Sequence, residues 1–370
     1  MYIEFSQRFA DKFVENDTEE MWTSLDRAMY AAVDGVHVVS CETRSCAEQM
    51  AEKARAQSKG KLCSFLLAIK ENIIDLHAVR SLMSFYIIIS SDSTTNLQQS
   101  ILTADCIAVG IDFSCLGTFW QKTRLLAEDS YDCVFYHWIC THEQRKQREL
   151  ANVMIQLEST NGGGAGLYDE YNRLTQEKRA ILCFADSDKK CPSDPMGSTA
   201  KKFSVNDIMM LSEYHVLNAC ELENLFFSSV LSSNLNIGKN TSSIDNIISS
   251  KEEIFPEIRM FFDVKNGFSR KFLLKHSFLK GIFNPSNICA KKGTKCYRRC
   301  KKCKDPVIEG YCRTYFDFLY KKYVRNNLFD DQKFENDVQN LPSVIADEWS
   351  VVGKKMLNWG CGYKIRTHGI

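Results

Sequence analysis

The pattern of apolar and polar positions sorts the chain into short strands and amphipathic helices. Glu19 to Val33 reads as a helix that Gly35 terminates, and Val36 to Cys41 as a strand. Thr43 to Ser58 predicts a second helix, stopped near Gly60. Phe85–Ile89, Cys106–Ile111 and Cys133–Trp138 are β-branched or aromatic runs of strand length. Helical segments are expected between and after them, at Asn96–Thr103, Leu116–Ala127 and Glu143–Glu158. Asn161–Gly166, with four glycines, reads as a loop ahead of a helix over Tyr168–Lys178. It lacks the Gly-Lys-Ser/Thr ending of a phosphate-binding loop. Strands that alternate with helices predict an α/β fold with a mainly parallel sheet flanked by helices. No internal repeat is evident.

Two apolar runs end in acids. Ile181-Leu-Cys-Phe-Ala185 runs directly into Asp186-Ser187-Asp188, followed by Lys189 and Lys190. Tyr214-His-Val-Leu-Asn-Ala-Cys220 runs into Glu221 and Glu223. A wholly apolar strand ending in Asp-x-Asp delivers carboxylates to the rim of a sheet, where α/β proteins bind ligands. Carboxylates gathered so closely repel unless a cation neutralises them, and oxygen donors suit Mg²⁺, or Mn²⁺ in its place. A third acid follows a short apolar segment near the start, in Phe13-Val14-Glu15-Asn16.

Taken together, Phe13-Val14-Glu15-Asn16, Asp186-Ser187-Asp188 and Glu223-Asn224-Leu225 resemble the motifs of the Toprim domain. The resemblance is closest to the Toprim-like nucleases of bacterial anti-phage systems, relatives of the overcoming-lysogenisation-defect nucleases. It implies a Toprim-like sheet in which Glu15 handles a proton at the scissile phosphodiester. It also implies that Asp186 and Asp188 hold Mg²⁺, with Glu221 or Glu223 completing the metal shell. Asn16 stands where that family has glycine, and Asn tolerates the left-handed turn best among the other residues. Glu42, after the strand ending at Cys41, is a rival for the role given to Glu15. Glu15 and Asp186 lie 171 positions apart, so the Toprim-like region (1–230) would contain a large insertion.

Composition changes beyond Ser228. Ser228–Ser250 is rich in Ser and Asn, which places a linker at 231–250 ahead of a smaller, mostly helical C-terminal domain (251–370). The net charge of +1 conceals an asymmetry: Lys265 to Arg325 holds 17 Lys/Arg against 3 Asp/Glu. Such a basic segment on an otherwise acidic chain points to nucleic acid as the partner. Arg298, Arg299, Lys301 and Lys302, with Lys189 and Lys190 beside the acids, are the candidate phosphate contacts. Within the same segment Cys289, Cys296, Cys300, Cys303 and Cys312 form a cluster whose Cys300-x-x-Cys303 spacing suits a structural Zn²⁺.

The 16 cysteines otherwise fall largely within apolar stretches, as free thiols do in a core. No secretory signal is visible, so a reduced, cytoplasmic setting is expected. The longest apolar run, Leu82–Ile89, is too short to cross a bilayer. No ATPase loop is present, so any nucleotide control would come from a separate ATPase or sensor protein of a defence system. The leading expectation is a metal-dependent endonuclease. Two other readings stay open: an Asp-x-Asp nucleotide-sugar glycosyltransferase, and a non-enzymatic zinc-containing nucleic-acid-binding protein. The oligomeric state has no signature in the sequence.

Overall fold

A computed structural model describes residues 1–91, 106–203, 211–226, 248, 250–251, 255–283, 306–308 and 341–365. The fold is α/β, with parallel sheets flanked by helices and a C-terminal region whose described elements are largely helical. The chain forms two compact units, each discontinuous in sequence. One comprises Met1–Phe184, Val205–His215 and Ser350–Ile370; the other comprises Ala185–Ser204 and Val216–Trp349. This partition is not the linear one expected around 231–250, because the segment after Phe184 packs with residues far along the chain.

The first unit begins with β1 (Tyr2–Phe5), α1 (Gln7–Glu15), α2 (Glu19–Val33), β2 (Val38–Cys41), α3 (Arg44–Ala56), α4 (Gly60–Ser81), β3 (Tyr86–Ser90) and β4 (Cys106–Gly110). These strands form a parallel sheet in the order β2-β1-β3-β4. After a short α5 (Ile111–Ser114) come β5 (Thr123–Ala127), α6 (Ser130–Arg145), β6 (Val153–Ile155), β7 (Leu157–Asn161), α7 (Leu167–Thr175), β8 (Ile181–Ala185), α8 (Ser198–Lys202) and β9 (Ser212–Val216). A second four-stranded sheet has the order β7-β5-β8-β9, with β5 parallel to both β7 and β8. The later elements are α9 (Ile258–Phe261), β10 (Phe268–Ser269), α10 (Arg270–Lys275), α11 (Ser277–Phe283), β11 (Pro306–Ile308), α12 (Ser343–Gly360) and β12 (Cys361–Tyr363). β12 pairs antiparallel with β6, and β10 with β11.

Four sequence expectations need correction. Phe13-Val14-Glu15 closes helix α1 instead of ending a strand. Phe9, Ala10 and Phe13 make its buried face, Ser6 caps its start, and the Asn16 N–H returns to the Lys12 carbonyl. Helical spacing of two phenylalanines thus decides the element. Cys133–Trp138 lies within α6, whose entry is fixed by reciprocal capping between Asp129 and Asp132. Its Cys133, Tyr136 and Cys140 are buried at helical intervals, and Tyr136 stacks on Phe184 with centroids 4.3 Å apart. Leu116–Ala127 is not a helix but a 3₁₀ turn followed by β5, and Glu143–Glu158 gives way after Arg145 to β6 and β7. The 22-residue α4 and strand β1 are elements that the apolar pattern does not predict. The stretch Asn96–Thr103 lies outside the described residues.

The first unit's core is aromatic. Phe5, Phe9, Phe13, Phe119 and Phe135 are fully buried, and Phe5 meets Phe9 at 5.0 Å. The described cysteines are free thiols, most of them buried, as their apolar contexts imply.

Candidate functional site

Strand β8 is buried at every position because it runs in the interior of a parallel sheet, which explains its unbroken apolar sequence. The chain leaves it through Asp186, Ser187 and Asp188. Asp186 Oδ1 accepts the Leu222 N–H at 2.9 Å, and Ser187 Oγ donates to the Ala219 carbonyl at 2.5 Å. The Asp188 N–H donates to the Cys220 carbonyl at 2.8 Å. These three bonds tie the Asp-x-Asp turn to the segment carrying Glu221 and Glu223. Asp188 takes a left-handed backbone conformation (φ 56°), which Asp tolerates better than most residues. Its carboxylate lies against Gly197, where an added Cβ would meet Asp188 Oδ2 at 1.9 Å, so only glycine fits there.

Glu221 and Glu223 flank the start of a 3₁₀ turn, Leu222–Phe226. Asn224 between them and the core is fully buried and fully satisfied: Nδ2 donates to the carbonyls of Arg259 (2.6 Å) and Phe262 (2.7 Å), and Oδ1 accepts the Glu221 N–H (3.0 Å). It is therefore the residue that sets the turn, while the glutamates face charge. Lys265 Nζ is 2.7 Å from Glu223 and 3.7 Å from Glu221. Asp263, 1% exposed, accepts from the Asn266 N–H at 2.7 Å and pairs with Lys190. Lys190 is thus engaged by a carboxylate instead of standing open to a phosphate. Asp263 and Lys265 are additions to the candidates drawn from sequence. Their signal is Phe261-Phe262-Asp263-Val264-Lys265, one more apolar run ending in an acid.

The electrostatics follow from this crowding. Burial pushes the Glu221 pKa up to about 7, with the Glu223 charge adding to it and Lys265 opposing. Burial likewise raises Asp188, against the pull of Lys190 and Lys265. Lys265 is held charged: burial opposes its ammonium, and Glu223 and Glu221 outweigh that cost. Glu221 Oε2 is buried with no hydrogen-bond partner. The oxygen donors of Asp186, Asp188, Glu221 and Glu223 fit Mg²⁺ or Mn²⁺ in kind, and Glu221 Oε2 is an acceptor that a cation would satisfy, but as placed no three of these acids bring donor atoms within 4.8 Å of one another. Lys265 now supplies the counter-charge.

Neither sequence candidate for the proton-handling acid joins this set by chain order or strand pairing. Glu15 is the exposed last residue of α1. Glu42 follows β2 in the first sheet, where Oε2 accepts the Gln7 N–H at 2.7 Å and caps α1. The second sheet offers a different glutamate. β5 runs beside β8 with Leu125 opposite Leu182 and Leu126 opposite Cys183, and the residue leaving β5 is Glu128. Glu128 belongs to the first unit, and the acids from Asp186 onward belong to the second. The glycine loop wraps the end of β5: the Gly162 N–H donates to the Ala127 carbonyl (2.8 Å) and the Gly164 N–H to the Glu128 carbonyl (3.0 Å). A Cβ on Gly162 would sit 2.7 Å from the Ala127 oxygen, so the close approach requires glycine. Strand β7, which the apolar pattern does not predict, leads directly into this loop. Glu128 escapes the sequence candidates because Leu116–Ala127 predicts a helix, although Leu125-Leu126-Ala127-Glu128 has the same shape as the acid-tipped runs elsewhere.

His137, Cys140 and His142 lie on α6; Cys140 is fully buried, and burial raises its pKa and lowers that of His137, as suits packing residues. Cys289, Cys296, Cys300, Cys303, Cys312, Arg298, Arg299, Lys301 and Lys302 lie outside the described residues. Among the described residues no helix is long and apolar enough to cross a membrane. Comparison with known proteins returns no match: no family model fits the chain, and no curated protein or solved structure matches it.

Proposed function

We propose that the protein is a metal-dependent phosphodiesterase of the Toprim type, a nuclease acting on DNA or RNA. The observation that carries this reading is the gathering of Asp186, Asp188, Glu221, Glu223 and Asp263 where β8 ends, with Glu221 held near neutrality by its surroundings. Asp186, Asp188, Glu221 and Glu223 would hold Mg²⁺ or Mn²⁺. Bound there, the ion supplies charge to polarise a phosphate and acidify an attacking water. Lys265 and Lys190 offset part of the carboxylate charge until then. The basic segment Lys265–Arg325 supports nucleic acid as substrate. A cytoplasmic defence effector, switched by a separate ATPase or sensor, is the setting that the resemblance suggests.

The test is cleavage by the full-length protein of plasmid DNA, single-stranded DNA and RNA in Mg²⁺ or Mn²⁺. Asp188→Asn is the cleanest variant, because Asn keeps the size and tolerates the left-handed backbone. Asp186→Asn keeps an oxygen for the Leu222 N–H. Expected is loss of cleavage with nucleic-acid binding retained. Cleavage by wild type that both variants preserve, or no cleavage of any substrate with either metal, overturns the reading. Turnover of a nucleotide sugar by the same acids would favour a glycosyltransferase instead.

A further inference from the structure

Cys191, Asp194 and His276 form a separate group in the second unit, just beyond the acid-bearing turn. Among the described residues it is the one set of three metal-ligating side chains whose donor atoms converge within 4.8 Å. His276 Nδ1 lies 3.0 Å from Asp194 Oδ1 and 3.9 Å from Cys191 Sγ. Cys191 is 1% exposed, and the other two are nearly enclosed.

A Cys, a His and an Asp also suggest a nucleophilic relay, but the geometry speaks against one. In such a relay the imidazole meets the thiol through one ring nitrogen and the carboxylate through the other. Here both partners face the same nitrogen, Nδ1. Three donors aimed at one point describe a coordination corner. Tetrahedral Zn²⁺, with bonds of about 2.3 Å to sulfur and about 2.0–2.2 Å to nitrogen and oxygen, separates its donors by about 3.4–3.6 Å. The two separations at His276 Nδ1 bracket that span, and all three donors lie within 4.8 Å of one another.

The surroundings orient the ligands. The His276 ring packs on Phe272 with centroids 4.2 Å apart. Asp194 Oδ2 accepts the Lys190 N–H at 3.2 Å, and the Asp194 N–H donates to the Cys191 carbonyl at 3.0 Å. Outer partners of this kind fix ligand direction in metal sites. We propose that Cys191, Asp194 and His276 bind Zn²⁺, with water in the fourth position. The ion fastens the turn after Asp186-Ser187-Asp188 to the end of α10. This site is distinct from the acid cluster and from the cysteines at 289–312, and it stands whether or not the protein cleaves nucleic acid.

The test is metal content and cobalt spectroscopy of the full chain, purified under reducing conditions. Cys191→Ala and His276→Ala should each hold about one equivalent less zinc than wild type, and Cys300→Ser/Cys303→Ser should leave that equivalent in place. In Co²⁺-loaded protein, the thiolate-to-cobalt charge-transfer band should fall in Cys191→Ala and survive in Cys300→Ser/Cys303→Ser. Unchanged zinc in folded Cys191→Ala and His276→Ala overturns the proposal. Should those variants not fold, Co²⁺ titration of the Cys300→Ser/Cys303→Ser protein decides: absence of any thiolate band overturns it, and a band at about one equivalent supports it.

Discussion

On β1, Glu4 is 1% exposed, yet both its oxygens accept from one guanidinium, Arg80 Nη1, at 3.1 and 2.8 Å. His77 Nε2 lies 3.6 Å away on the same helix, α4. Where β8 ends, carboxylates are also buried, but the charges that face them are ammonium groups shared between acids, and one Glu221 oxygen has no hydrogen bond. A guanidinium nitrogen bonded to both oxygens of one carboxylate closes that pair; a lysine shared by two glutamates leaves repulsion in place. The first arrangement serves the fold. The second leaves negative charge that a divalent cation would relieve, and the contrast separates a structural acid from a functional one.

The contrast breaks most visibly in activity. Asp188→Asn and Asp186→Asn should each reduce cleavage by about 10²–10³-fold while changing stability little, because each removes charge without removing volume. Arg80→Ala should do the reverse. It leaves Glu4 buried without its guanidinium partner and should cost about 3 kcal/mol in urea unfolding, with cleavage per folded molecule unchanged. Replacing both partners, as Glu4→Gln with Arg80→Met, should recover most of that loss. If Arg80→Ala instead abolished cleavage in a fully folded protein, the division between the two groups of acids would fail.

A smaller effect is expected from pH. Glu221 titrates at about 7 in the folded protein against 4.5 for an ordinary glutamate. Between those values the folded state holds a proton that the unfolded state has lost. Stability from this residue is therefore fully present at low pH and falls as pH rises through 7. In chelator, wild type should lose about 2 kcal/mol more than Glu221→Gln between pH 4.5 and 8. Parallel curves for the two proteins would show that Glu221 is not under strain.

What the sequence made legible follows burial geometry. β8 was readable because a central parallel strand is apolar on both faces and then stops at acids. α2 and α3 were readable from period and terminators within a residue or two, and α7 within three. Cys133–Trp138 misled because aromatic and β-branched residues also fill a deeply buried helix, and the deciding signal, Asp129 with Asp132, lies before the run. Asp263 and Lys265 belong to the candidate chemistry through pairings that no local pattern encodes, such as Asp263 with Lys190 across 73 residues. Phe13-Val14-Glu15-Asn16 closes a helix because Phe9 and Phe13 bury one helical face.

Glu15 and Glu42 give the mildest and most discriminating measurement. Glu15 is exposed at the end of α1, so Glu15→Gln should shift stability by less than about 0.5 kcal/mol. Glu42→Gln keeps an oxygen for the Gln7 N–H and should cost little more. Neither residue lies on the sheet that carries β8, so cleavage by both variants should stay within about twofold of wild type, in the range of a surface substitution. A tenfold or greater loss at Glu15 or Glu42 in a folded protein would instead place the proton-handling acid where the resemblance implies it, on the elements of the first sheet.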